Sequence, residues 1–244
     1  MPNFKVCVEY EGTNYFGWQR QKGAVTVQQV IEDKLSFLLG EKVYVFGSGR
    51  TDSGVHAINQ YFHFRTKKTL PVNAYLYGLN SMLPADIRIK NIEIVPDGFH
   101  ACFSAKRKSY KYLILNRKMP SALLRNFCWH ISYPLDVDLM NRCAETIVGT
   151  IDFSSFRASL CSRKNPVRTV YEAFWNKDGE ELTFFITANG FLHNMVRILV
   201  GTMVDVGRGK ISLEEFKNIL EKRDRRTAGR TAPPQGLYLY EVYY

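Results

Sequence analysis

One short segment of this 244-residue chain concentrates groups that can do chemistry. Residues 47–57 read GSGRTDSGVHA. Glycines at 47, 49 and 54 demand a tight loop with backbone angles that other residues avoid. The loop holds one carboxylate, Asp52, between Arg50, the hydroxyls of Thr51 and Ser53, and the imidazole of His56. A carboxylate in such a setting can act as a nucleophile or a base. An aspartate in a glycine-rich turn also commonly just closes that turn with its own side chain. Residue types alone leave both readings open. The segment is not a Walker-type phosphate cradle, which needs a Lys-Ser/Thr pair opening a helix.

A second segment, KRKSYKY at residues 106–112, alternates cations and rings along a strand-like stretch. Lys106, Arg107 and Lys108 suit phosphates, and a tyrosine ring suits a flipped or unstacked base. A solvated basic strand edge gives the same pattern. A third feature is Arg197, flanked by Met195, Val196, Ile198, Leu199 and Val200. A guanidinium on so apolar a stretch must snorkel to water or meet a carboxylate. Arg20, Arg157, Arg163, Lys164 and Arg168 are further candidates for phosphate contact, and the run KRDRR at 222–226 either binds RNA or finishes a helix. Cys7, Cys102, Cys128, Cys143 and Cys161 lie far apart with no CxxC pair. Neither a zinc site nor a disulfide framework is expected, and no metal ligands are expected. All but Cys161 sit among apolar or aromatic neighbours and read as small core residues.

The elements that would carry these groups follow from periodicity. In the first half, strands are expected at 4–10, 43–46, 59–65 and 87–95, and helices at 26–39 and 73–82. Thr26 and Gln29 form a capping-box pattern, and Gly40 can stop the first helix. In the second half, strands are expected at 109–116, 167–176, 181–188 and 237–242. Helices are expected at 136–148, closed by Gly149, at 192–206, closed by Gly207, and at 212–222, with a Ser212/Glu215 box. Asp178-Gly179 signals a hairpin whose loop reads as longer than the minimal one. Apart from the extra helix, each half reads β-α-β-β-α-β, the ferredoxin-like order. The expected fold class is α+β. Two ferredoxin-like (RRM-like) halves, residues 1–105 and 106–244, would form a continuous antiparallel sheet with helices on one face and the active-site cleft between them.

Composition narrows the class. Apolar residues make up 45 % of the chain and aromatic ones 14 %, so a folded protein rather than a basic tail is expected. Thirty-three Lys and Arg against 23 Asp and Glu leave a formal net charge of +10, which favours a polyanionic partner. No apolar run approaches the ~20 residues that span a bilayer, and residues 1–12 show no signal-peptide pattern. With unpaired cysteines, this points to the cytoplasm.

GRTDSGVHA at 49–57 closely resembles the signature of the tRNA pseudouridine synthase A family, whose usual form has Ala where this chain has Ser53. Five more blocks resemble that family in the same order: YEGTNYFGWQRQ at 10–21, FHACFSA at 99–105 ahead of Tyr110-Lys111-Tyr112, DFSSFR at 152–157, FLHNMVR at 191–197 followed by Gly201, and TAPPQGL at 231–237. The resemblance covers nearly the whole chain. It implies the pseudouridine synthase fold and isomerisation of uridine to pseudouridine in the anticodon stem-loop of tRNA, at positions 38 to 40, by a cytoplasmic homodimer without a cofactor. It implies that Asp52 is the catalytic nucleophile or base, that Tyr110 packs on the target base, and that Arg197 forms an ion pair with Asp52. Arg50, two residues before Asp52, is by its place the foremost candidate among the cations for binding substrate through phosphate. The chemistry fits. The bond from ribose to N1 breaks, the base turns, and a bond to C5 forms, so one ionised carboxylate is needed and no net oxidation or hydrolysis occurs.

Two other classes compete. An RNA-binding module on paired RRM-like halves would use the basic-aromatic strand, but it gains nothing from a carboxylate facing phosphate. A glycosylase would want a second catalytic carboxylate. Glu9 and Glu11 are available for that role, without a supporting motif.

Overall fold

Local signals set the first unit. In the computed structural model, which describes residues 1–68, 70–158 and 165–244, Thr26 accepts a hydrogen bond from the Gln29 N–H and opens α1 (Val27–Leu39). Gly40 closes the helix in the left-handed conformation. Strand β1 (Asn3–Tyr10) precedes α1; β2 (Phe46–Gly47), β3 (His56–Arg65), α2 (Val72–Met82) and β4 (Ile87–Val95) follow it. β1 pairs antiparallel with both β3 and β4, and β2 pairs antiparallel with β3. The spatial order β4-β1-β3-β2 is the ferredoxin-like one. The core lies between this sheet and the helices. The ring of Tyr75 on α2 meets Phe4 at 4.9 Å and Phe64 at 6.0 Å, while Ile31, Leu35 and Leu79 are fully buried.

The strand expected at 43–46 survives only as β2. Val43 and Val45 are buried, but their N–H groups are taken by side chains of α1: Ser36 Oγ accepts from Val43 and Glu32 Oε1 from Val45. Periodicity reports burial, and here the backbone bonds that would make a strand go to a helix instead.

The second unit spans residues 107–237. It contains β5 (Arg107–Asn116), β6 (Trp129–Ile131), α3 (Val137–Thr146), β7 (Gly149–Asp152), β8 (Val167–Asp178), β9 (Glu181–Ala188), α4 (Met195–Gly207) and α5 (Leu213–Lys222). Its strands lie in the order β5-β9-β8-β7, with β6 parallel to β5. α3 is fixed to β8 by a reciprocal pair in which Asn141 accepts from the Trp175 N–H and donates to its carbonyl. The Trp175 indole donates to Met203 Sδ on α4. The Ser212/Glu215 capping box opens α5 as expected.

Four features differ from the sequence reading. β6 and β7 were not anticipated; they are three and four residues long, too short for a period to show. Gly149 begins β7 rather than trailing the helix. Asp178 pairs with Glu181, so the hairpin loop is the minimal two residues, with Gly179 at φ 56. α4 starts at Met195, not 192, because Asn194 sits at φ 61 and breaks the helical path.

The last strand, β10 (Leu237–Tyr243), returns to the first unit, which comprises residues 1–106 and 238–244. Tyr238 and Leu239 pair in parallel with His56 and Ala57 of β3. The division read from sequence assigned this strand to the second half; contacts place it with the first. Together the two units make a mixed α+β protein with five α-helices among the described residues and strands that pair antiparallel except at β3–β10 and β5–β6.

Candidate active site

The aspartate loop of the first unit is gripped by the N-terminal motif. The Tyr10 and Thr51 hydroxyls are 2.8 Å apart, and the Trp18 N–H donates to the Thr51 carbonyl at 3.1 Å. Ser53 Oγ and the Gly54 N–H both donate to the Tyr15 carbonyl. The Gly12 N–H donates to Nδ1 of His56 at 3.0 Å, which puts the imidazole proton on Nε2. His56 is buried, and its ring stacks on Tyr238 at 4.8 Å. Upstream, the Ser48 N–H donates to the Tyr61 carbonyl, and Gln60 donates to the Gly49 carbonyl. Asp52 itself turns the chain: its carbonyl accepts from Val55 N–H at 3.1 Å. Its side chain is half-buried, and Arg50, two residues earlier, is exposed. A carboxylate is thereby presented from a loop held on both flanks, the requirement for a catalytic group that must not wander.

Gly12 is where this grip is tightest. A Cβ there would lie 2.1 Å from the Val55 carbonyl oxygen, so no other residue fits without moving the loop. Burial pushes the Tyr10 hydroxyl well above the ordinary tyrosine range, partly opposed by its bond with Thr51. Tyr10 is therefore a neutral clamp.

The second unit gathers the 152–157, 191–197 and 231–237 blocks around α4 and β5. Arg197 sits in the first turn of α4; its Nε donates to the Ala232 carbonyl at 2.7 Å and Nη1 to Asn194 Oδ1 at 3.0 Å. The Ala232 N–H returns a bond to the Arg197 carbonyl. The 231–237 segment can run this close to α4 because residue 201 is glycine, whose Cβ would otherwise lie 1.9 Å from the Arg230 carbonyl oxygen. Tyr112 is fully buried and donates to the Pro233 carbonyl at 2.8 Å. Burial holds its hydroxyl neutral, against the lowering influence of Arg197 and Arg230. Tyr110 lies one pleat along the same face of β5, only 9 % exposed, with its ring edge-on to Phe191 at 4.9 Å. The 152–157 block joins through Ala158, whose N–H donates to the His193 carbonyl.

The cations named from sequence separate by environment. Lys106 and Arg107 are exposed, Arg107 with its guanidinium 5.0 Å from the Tyr171 ring centroid; Lys108 and Arg157 are half-buried. Arg20 is exposed but paired with Glu32 at 3.0 Å and Asp33 at 3.6 Å. Arg168 is buried, with Nη1 on the carbonyls of Asn165 and Val167. In the 222–226 run, Arg226 pairs with Asp224 and Arg223 with Asp152, so part of that charge serves local structure. Arg163, Lys164 and Cys161 lie outside the described residues. Cys7, Cys128 and Cys143 are buried as expected, whereas Cys102 is half-buried. Sequence reasoning passed over the clamp residues Tyr10, Gly12 and Trp18 and the ring partner Phe191, and placed His56 beside Asp52 without its bond to Gly12. All five lie inside the motif blocks, so the signal was present but carried no chemistry of its own.

Known proteins resemble this chain along its length. A family model described as tRNA pseudouridine synthase matches residues 6–104 and 143–244. The tRNA pseudouridine synthase A of Thermoanaerobacter sp. (strain X514) is 50 % identical over 244 residues, the whole of both chains. That of Acetivibrio thermocellus is also 50 % identical over the whole of both chains. The enzyme of that name from Bacillus subtilis (strain 168) is 46 % identical over 98 % of each. Among solved structures, a chain of a Cbf5-Nop10-Gar1 complex overlaps 82 % of this chain and 54 % of its own at a TM-score of 0.33 and 13 % identity. Matched by the family model over most of its length, and up to 50 % identical from end to end to proteins named tRNA pseudouridine synthase A, the chain belongs to the tRNA pseudouridine synthase family of isomerases.

Proposed function

We propose that this protein converts uridine to pseudouridine in the anticodon stem-loop of tRNA, at positions 38 to 40, as a cytoplasmic homodimer that needs no cofactor. One observation carries the reading: the GRTDSGVHA loop that bears Asp52 is held on both sides by the 10–18 motif, in a chain 50 % identical from end to end to a protein named tRNA pseudouridine synthase A. In the reaction the ribose–N1 bond breaks and a ribose–C5 bond forms. C5 gives up its proton and N1 gains one, so the balance is an isomerisation. Asp52 attacks as a nucleophile or takes a proton from the ribose, and either role uses the ionised carboxylate. Arg197 is the cation that pairs with it and fixes its orientation; a planar fork suits a carboxylate better than an ammonium does. Tyr110 packs on the base and helps move the C5 proton. Arg50, with Arg20, Lys106, Arg107, Lys108, Arg157 and Arg168, supplies the charge that meets phosphate; the net charge of +10 supports such a surface.

The test is release of tritium from tRNA labelled at C5 of uridine, because only the isomerase displaces that hydrogen. Wild-type protein is expected to release it. Asp52→Ala is expected to release none while keeping most of its tRNA affinity, which comes from phosphate contacts. Turnover by Asp52→Ala near the wild-type rate would remove Asp52 from the mechanism.

A further inference from the structure

The first unit carries an aromatic ladder that its own core does not use. Phe46 on β2 stacks on His63 of β3 at 5.2 Å and 25°. His63 meets His100 edge-on at 4.5 Å, and His100 stacks on Phe103 at 4.3 Å and 30°. The inner rung is locked. His63 is 5 % exposed, and its Nδ1 accepts from the Ala101 N–H. His100 Nδ1 accepts from Cys102 and Phe103 N–H groups, which fixes that turn. The outer rungs face solvent: Phe46 is 52 % exposed and Phe103 83 %. Each outer ring stacks one face on a histidine and leaves the other to solvent.

A cleft of about 590 Å³ opens beside the ladder, lined in part by Phe46, His63, Phe99 and His100, with Lys42 and Arg65 at its rim. Arg65 donates to the Asp97 carbonyl, and Lys42 lies 5.1 Å from the ring centroid of exposed Tyr44. Lys67 and Lys68 follow Arg65 on the exposed surface, so cations outnumber the acids Glu41 and Asp97 beside them. Exposed π-faces beside a cationic rim are the physical specification of a single-stranded nucleotide site: a ring accepts a base and a cation its phosphate. An apolar protein partner would desolvate Lys42 and Arg65 without offering either an anion.

We infer that Phe46 and Phe103, with Lys42 and Arg65, form a second RNA contact that stacks an unpaired nucleotide of the substrate away from the Asp52 loop. Along β3, His63 lies seven residues from His56, about 23 Å at strand rise. The contact therefore engages a part of the RNA remote from the target base and sets affinity rather than chemistry. It rests on the reading of this protein as an RNA-modifying enzyme.

The experiment compares Phe103→Ala, the double variant Phe46→Ala/Phe103→Ala and Phe103→Tyr with wild type, by tRNA affinity and by tritium release at saturating tRNA. The alanine variant should bind tRNA roughly tenfold more weakly, the size expected for one lost base–ring stack. The double variant should be weaker still, Phe103→Tyr close to wild type, and kcat unchanged in all three. Lys42→Ala and Arg65→Ala should each flatten the salt dependence of binding, which the phenylalanine variants leave alone. Unchanged affinity in the double variant would overturn the inference. So would a loss of self-association on sedimentation that accounts for the weaker binding, since the ladder would then be a contact between copies of this chain. If wild-type protein releases no tritium and binds no tRNA, it is the reading of the enzyme that fails, not the ladder alone.

Discussion

The backbone N–H of Gly12 and the Nδ1 of His56 are 3.0 Å apart, and this bond closes the N-terminal motif over the far end of the aspartate loop. It needs a neutral imidazole with a bare Nδ1, and it needs a residue at 12 with no side chain. Gly12→Ala puts a methyl 2.1 Å from the Val55 oxygen, so the loop between Thr51 and Val55 must shift. Displacing a catalytic carboxylate by about an ångström costs roughly a hundredfold in rate. Single-turnover tritium release should show a loss of that order with tRNA affinity nearly intact. A variant with wild-type kcat would mean that the clamp does not set the position of Asp52.

Tyr110 separates two roles by one atom. Phe at this position keeps the ring against Phe191 and loses only the hydroxyl. If the residue only packs, Tyr110→Phe turns over at nearly the wild-type rate. If it also moves the C5 proton, the variant binds tRNA and stalls before product. Tyr110→Ala should lose activity either way, and full activity in that variant would exclude both roles.

Arg197 holds α4 to the 231–237 segment through Ala232 and supports Asn194 in its left-handed conformation. Hydrogen bonds to a charged group contribute about 1.5–3 kcal/mol each, so Arg197→Ala should lower unfolding free energy measurably in urea. Arg197→Lys, with one compact ammonium, cannot reproduce both bonds and should recover only part of the loss. The proposed tie to Asp52 makes a separate demand: tritium release must fall further than the lost stability accounts for. Wild-type turnover in folded Arg197→Ala would leave it a structural residue.

His63 makes stability depend on pH. Desolvation, reinforced by His100 and Arg65, lowers its pKa from 6.5 to about 4, against the raising effect of its bond to the Phe46 backbone. The unfolded chain therefore binds a proton that the folded one refuses between those values. Stability is full above about 6.5 and falls as the pH drops toward about 4. His63→Asn keeps an acceptor near the Ala101 N–H and removes the titration. Urea unfolding across that window should show a shallower slope in the variant. Parallel slopes would assign the acid sensitivity elsewhere.

Much of this was legible before any coordinates, and the reasons are local. Thr26 with Gly40, and Ser212 with Glu215, announce helix ends because capping is satisfied within a few residues. The motif blocks were legible as blocks, but not as clamps. That Gly12 meets His56, or that the 231–237 segment lies on Gly201, depends on residues far apart in sequence. α4 was extended too far because apolar content continues through Leu192, while Asn194 interrupts the backbone without interrupting the pattern. The partner of β10 was illegible for the same reason: alternation tells a strand its faces, never its neighbour.

That last strand has a consequence for how the protein is made. Residues 238–244 complete the sheet of the first unit and set Tyr238 against His56, yet they follow the whole second unit in the chain. During synthesis the aspartate loop must wait, its sheet short of one strand, until about 130 further residues have emerged, a closure of high contact order and slow by that measure. A chain stopped a few residues early would carry Asp52, Tyr110 and Arg197 and still lack the strand that backs the aspartate loop. The fold thus withholds a finished Asp52 loop from nascent and truncated chains.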